Sequence, residues 1–171
     1  MFTLFDDGFV IIDLETTGLN DDPKVDIVEI AVVSHHGEIL LNTLVKPTHS
    51  IPLVASRIHG IYDKDVVDAP SFEDIYPQLE TFLNGKIVVA YNHTFEQDIL
   101  RAVCRRTKKP QFTPMEWYCA MRSYSVYKGV TRFQKLTAAC QREGIPLANA
   151  HRALGDCLMT LALLKKMATA A

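Results

Sequence analysis

Phe9-Val10-Ile11-Ile12-Asp13-Leu14-Glu15-Thr16-Thr17-Gly18-Leu19 places two acids at the end of an apolar run. Residues 8–14 are apolar and largely β-branched up to Asp13, the signature of a buried strand, and Thr16-Thr17-Gly18 stops it. Side chains alternate along a strand, so Asp13 and Glu15 leave on one face. Two carboxylates that close repel each other unless a cation neutralises them, and magnesium or manganese does so with oxygen ligands. The alternative is two solvated acids at a strand end. The four apolar residues directly before them count against it.

Working outward, residues 26–33 and 38–45 read as two more strands, with a turn around His36-Gly37 between the second and third. Such short links predict an antiparallel meander. Pro47 and Pro52 break the pattern. Ser71 with Asp74 three residues on reads as a capped helix start, and Ile75, Leu79, Phe82 and Leu83 continue it at helical spacing. Residues 86–91 predict a fourth strand and residues 95–106 a helix. Thr131 is read as the cap of a helix through Glu143, and a last helix runs from Arg152 to Met167. There is no repeat, low-complexity stretch or Gly/Ser linker. We therefore expect one α/β domain over residues 1–171, strands early and helices late.

The chain has 171 residues, 48% hydrophobic and 22% charged, which suits a globular protein with a full core. No apolar run approaches the ~18 residues of a membrane span. The start carries Asp6 and Asp7 and no positive charge, unlike a secretory signal. Cys104, Cys119, Cys140 and Cys157 are scattered, with no C-x-x-C pair. Reduced thiols and a cytoplasmic location follow as expectations. The net charge of −2 conceals an asymmetry: residues 1–100 hold 5 Lys+Arg against 17 Asp+Glu, whereas residues 101–142 hold 10 against Glu116 alone. An acidic half can bind divalent metal and a basic stretch can bind phosphate. A solvated basic helix face is the other reading of the second.

Near the C-terminus, His151-Arg152-Ala153-Leu154-Gly155-Asp156 precedes a strongly apolar helix. Asp156 lies at the edge of its buried stripe, where a carboxylate needs a partner. Alone, His151 reads as an ordinary loop histidine; beside Asp156 it becomes a candidate base for a water near neutral pH.

Phe9 to Leu19 resembles the first motif of the DnaQ-like, or DEDDh, 3′-to-5′ exonucleases. His151-x-Ala-x-x-Asp156 resembles their third motif, in the form whose base is His. Val88-Val-Ala-Tyr91-Asn92-His-Thr-Phe95-Glu96-Gln-Asp98-Ile-Leu100 is similar to the second, and Ile58-His59-Gly60-Ile61 to the segment between the first two. The likeness runs from about residue 8 to residue 165. It implies a ribonuclease-H-like fold, a mixed five-stranded sheet flanked by helices, with residues 115–119 as the fifth strand. It also implies hydrolysis supported by two divalent cations, Mg2+ or Mn2+, held by Asp13, Glu15 and Asp156 with a second-motif acid, and His151 as general base. The product would be a nucleoside 5′-monophosphate from a 3′ end.

The second motif departs from the family's His-Asn-x-x-Phe-Asp. An ungapped match puts Glu96 at the aspartate position, and Asp98 is its rival. Residues i and i+2 of a helix lie about 200° apart, so only one faces the site. Glu96 keeps the family register. Its extra methylene favours manganese, because magnesium demands near-ideal geometry.

The resemblance further suggests that Thr16, Thr17, His59, Asn92 and Phe95 contact substrate. Turn capping for the threonines and Asn92, and core packing for Phe95, are the structural alternatives. The basic stretch would guide the strand, with Tyr124, Tyr127 and Phe133 interleaved; for Phe133 core packing is the preferred reading. We expect single-stranded 3′ ends as substrate, DNA over RNA, either beside a DNA polymerase or stand-alone, the chain having no long tail for docking. A 3′-to-5′ exoribonuclease and a catalytically impaired end-binding module are the alternatives. Oligomeric state is not legible.

Overall fold

The computed structural model of the chain describes residues 8–147 and 149–169; the acidic start read around Asp6 and Asp7 lies outside the described residues. β1 (Phe9–Thr16) forms where expected and runs two residues further, because its pairing with β2 (Ile27–Ser34) continues past Leu14. β3 (Ile39–Leu44) completes the antiparallel meander. β4 (Ile87–Ala90) lies parallel on the other side of β1, and β5 (Glu116–Cys119) lies parallel to β4. The order is β3-β2-β1-β4-β5, the mixed five-stranded sheet the resemblance implies.

Alternation along the strands builds both layers. Phe9 and Ile11 of β1, with Ala31 and Val33 of β2, face α5 (Ala120–Tyr127), α6 (Leu136–Arg142) and α7 (Ala153–Thr169). Val10, Ile12 and Leu14, with Ile30 and Val32, face α3 (Phe72–Leu83) and α4 (His93–Thr107). Central strands covered on both faces read as continuous apolar runs, as β1 and β2 do. α7 lies flush across β1 and β2: the Cys157 thiol reaches the carbonyls of Ile11 and Ala31 at 3.7 and 3.6 Å. Leu163 and Leu164 on it are fully buried, and truncating either to alanine would cost about 2–5 kcal/mol. α1 (Leu53–His59) and α2 (Asp63–Val66) pack over a smaller cluster around Val28 and Ile61.

The loop after β1 is anchored by Asp26, which is 3% exposed. Its carboxylate pairs with Arg106 of α4 at 2.9 Å and accepts from the N–H and hydroxyl of Thr48, both at 2.8 Å. Its own N–H donates to Thr17 Oγ1 at 2.9 Å. The turn beyond the paired acids is thereby tied to α4.

Two readings need correction. The capping box of Ser71 and Asp74 forms, but Thr131 caps nothing: the helix starts only at Leu136, with Lys135 at the N-cap position. In the segment before it, the hydroxyl of the buried Tyr91 donates to the Gln134 carbonyl at 2.6 Å. With its carbonyl turned to Tyr91, Gln134 lies outside the helix. The helices α1, α2 and α5 were not expected. In α1 the buried residues are Ala55, Ser56 and His59 while Leu53, Val54 and Ile58 face outward, the reverse of the usual stripe.

Candidate active site

Because Phe9 and Ile11 look toward α7, Asp13 and Glu15 do too. Asp156 stands on the first turn of α7, over the same strand end. One oxygen from each of Asp13, Glu15 and Asp156 lies within 4.8 Å of the others.

Glu96 stands on the buried side of α4, one turn before Ile99 and Leu100. It is 5% exposed, and its Oε2 is buried without a hydrogen-bond partner. Asp98 points elsewhere: its side chain is 40% exposed, accepts from Asn20 Nδ2 at 3.1 Å and faces Arg101 at 3.8 Å.

The electrostatics follow from this crowding. Burial first, then the Glu96, Asp156 and Glu15 carboxylates, hold Asp13 well above the usual aspartate range. Burial, then Asp156 and Glu29, push Glu15 up to about 8. Glu96 also rises to about 8, chiefly through burial and then through Glu15 and Asp156, although its own backbone N–H opposes the shift. Asp156 is raised by burial against the His151 N–H, which donates to its Oδ1 at 3.2 Å. Carboxylates that cannot all ionise, one with an orphaned oxygen, form a hard all-oxygen donor set. Such a set suits magnesium or manganese, so the residues present fit a divalent-cation site.

His151 is exposed, in left-handed backbone (φ 63°), and lines an open cavity of about 440 Å³ with Asp156, Tyr91, Phe133 and Lys135. The other expected residues divide. Thr16 Oγ1 donates to the Gly18 carbonyl at 2.6 Å and Thr17 accepts from Asp26, so both hydroxyls are engaged in the turn. His59 is buried, its Nδ1 accepting from the Ile61 N–H at 3.0 Å. Phe95 packs partly against the core behind β1. Asn92 is exposed at the N-cap of α4, without a side-chain cap bond. Among the aromatic residues, Tyr124 is fully buried and bonded to Glu143 at 2.9 Å, whereas Phe133 is 54% exposed beside the cavity, contrary to the core packing expected of it. Arg106 is committed to Asp26 and Lys128 to Glu143, whereas Lys135 is exposed on the cavity lining and Arg132 is exposed on the segment that leads into it.

Sequence reasoning missed Glu29 and Arg152. Glu29 lies directly across from Glu15, 4% exposed, and receives the Arg152 guanidinium and the Ala153 N–H. The available signal was Glu29-x-Ala31-x-Val33, an acid on the apolar face of its strand.

The RNase T exonuclease family model matches residues 10–164. An uncharacterised exonuclease of Escherichia phage 186 is 36% identical over 95% of this chain and 89% of its own length. A PolC-type DNA polymerase III of Thermotoga maritima is 31% identical over 92% of this chain, which spans only 12% of that protein. Among solved structures, exonuclease X in complex with 5′-overhanging duplex DNA superimposes with a TM-score of 0.72 at 29% identity, covering 95% of this chain and 92% of that one. With the fold, the acidic cluster and these likenesses together, the chain belongs to the RNase T/DnaQ-like (DEDDh) family of metal-dependent 3′-to-5′ exonucleases.

Proposed function

We propose that this protein removes nucleoside 5′-monophosphates one at a time from single-stranded 3′ ends, DNA in preference to RNA. Asp13, Glu15, Glu96 and Asp156 would hold two divalent cations. The observation that carries the reading is the convergence of Asp13, Glu15 and Asp156 within 4.8 Å beside the buried, orphaned Glu96 oxygen. The DNA preference is supported by a relative named as a DNA polymerase and a neighbour solved with DNA. The PolC likeness supports work beside a polymerase, and the likeness to the phage exonuclease over 89% of that protein supports a free-standing enzyme.

Bound cations would supply positive charge for the phosphate and lower the pKa of water at the site. The chain's own residues do the rest. His151 faces the open cavity and takes a proton from the attacking water at its imidazole. Its N–H bond to Asp156 ties the base to one of the ligands. Phe133, exposed at the rim, offers a stacking face for a terminal base. Lys135 and Arg132 attract the backbone. Asn92 and Phe95, on the first turn of α4 or just before it, are the remaining candidates for contact with the terminal nucleotide. Glu96, one methylene longer than aspartate, adapts the site to manganese better than to magnesium.

The test is incubation of 5′-labelled single-stranded DNA and RNA oligonucleotides with Mn2+. The expected result is a ladder shortening from the 3′ end, faster on DNA. Binding to both without shortening would overturn the enzyme reading in favour of an end-binding module.

A further inference from the structure

We propose that Glu29 is a positioning residue of this site, acting through Arg152 and the Ala153 N–H to fix the segment that carries His151. The inference rests on the proposed function for its catalytic consequence, but the clamp itself is geometry.

Glu29 occupies a costly place. It lies on β2 opposite Glu15, on the strand face that continues into Ala31 and Val33, and adds another buried carboxylate to an acidic cluster. Burial there is tolerated only with full pairing. Arg152 supplies it as a fork: Nε reaches Oε2 at 3.0 Å and Oε1 at 3.1 Å, and Nη2 also meets Oε1. The planar guanidinium fixes orientation as well as distance. Ala153 N–H donates to Oε2 at 2.9 Å. Ala153 is the first residue of α7, where backbone donors lack intrahelical partners and negative charge is favoured. One side chain on the sheet thus holds two consecutive residues at the mouth of the helix.

A second observation makes this clamp functional. His151, immediately before Arg152, sits at φ 63°, and Asn149 at φ 54°. Asn and His enter the left-handed region more readily than most residues, and two of them so close together in it give this segment a specific path for its neighbours to hold. On its own side, His151 has the N–H bond to Asp156 Oδ1. The next anchor along the chain is the Glu29 pair. Without it, Arg152 is free to rotate and the segment that presents His151 to the cavity loses its anchor to the sheet.

Three measurements test this, on the full chain with Mn2+ and a single-stranded DNA oligonucleotide. Glu29→Gln keeps the shape and removes the charge. Loss of a partner that orients an active-site group typically costs about 10–100-fold in activity, so we expect that drop in kcat with KM within ~3-fold of wild type. In a His151→Ala background the same substitution should cost less than ~3-fold, because the residue it positions is gone. Amide hydrogen exchange over residues 149–157 should quicken at least ~10-fold in Glu29→Gln, with β1 and β2 unchanged. A full drop in both backgrounds, or unchanged exchange, overturns the clamp. If the wild type shows no exonuclease activity, the function reading fails, and exchange alone then decides the clamp. If Glu29→Gln does not fold, Arg152→Lys takes its place, with the same three results expected.

Discussion

Replacing Glu96 by glutamine isolates the cost of ionising a buried acid at the centre of this site. Glu96 is 5% exposed and its carboxyl is pushed from an ordinary 4.5 to about 8, with burial as the main cause and Glu15 and Asp156 as the next. A raised acid binds more protons folded than unfolded. Its contribution to stability is therefore fully present below pH 4.5 and lost as pH rises through about 8. At about 1.4 kcal/mol per unit the full shift corresponds to ~5 kcal/mol. The cluster shares its protons among several acids, so we assign about 2–4 kcal/mol to Glu96 itself. The amide of the Gln variant has its own desolvation cost of ~1–3 kcal/mol, but that cost does not change with pH and cancels when one protein is compared with itself. The assay is thermal unfolding of both proteins in EDTA at pH 5 and pH 9. At roughly 2–4 °C per kcal/mol for a chain of this size, the wild type should lose about 5–15 °C more than the variant between the two pH values. Added Mn2+ should restore the wild type at pH 9 and raise the variant less. Parallel losses in the two proteins would refute the reading of Glu96 as a buried acid that stays protonated well above the usual glutamate range.

The same geometry sets further outcomes. Asp13→Ala should abolish cleavage yet leave the metal-free protein at least as stable at pH 8, read by activity and melting together, since one member of the repelling cluster is gone. Glu96→Asp should preserve or raise the rate with Mg2+ by restoring the shorter ligand; a sharp fall in single-turnover rate would assign the fourth carboxylate elsewhere. Asp26→Ala should cost about 3–5 kcal/mol in urea unfolding, because it leaves Arg106 without its buried partner and Thr48 without an acceptor. A loss below ~1 kcal/mol would show that water replaces the hub.

Much of this was legible because strand alternation is a strong local signal. Val10-Ile11-Ile12 before Asp13-x-Glu15 defined β1, both of its faces and the shared direction of the two acids. Ser71 and Asp74 marked a helix start through a reciprocal cap that depends on neighbours alone. The unread parts depend on tertiary contacts. Thr131 carries a good local cap signal, but the helix starts only at Leu136, and the Gln134 carbonyl before it is bonded to Tyr91, far away in sequence. α1 escaped because Leu53, Val54 and Ile58 face outward while Ser56 and His59 are buried. Phe133 was expected inside, and only the path of the 128–135 segment shows it at the cavity rim. Glu29 looked like one acid in an apolar strand; its partner Arg152 stands 123 residues away, which no local pattern connects. The choice between Glu96 and Asp98 came down to helix phase, and the structure turns Glu96 to the cluster and Asp98 to Asn20 and Arg101.

The most direct measurement follows release of label from the 3′-terminal nucleotide of a single-stranded DNA oligonucleotide with Mn2+, comparing the wild type with Asp13→Ala and His151→Ala. Labelled nucleoside 5′-monophosphate is expected from the wild type, none in EDTA or from Asp13→Ala, and a rate at least ~100-fold lower from His151→Ala, in line with the loss of a general base. Wild-type protein that binds the oligonucleotide and releases no mononucleotide, or a His151→Ala variant as fast as wild type, would contradict it.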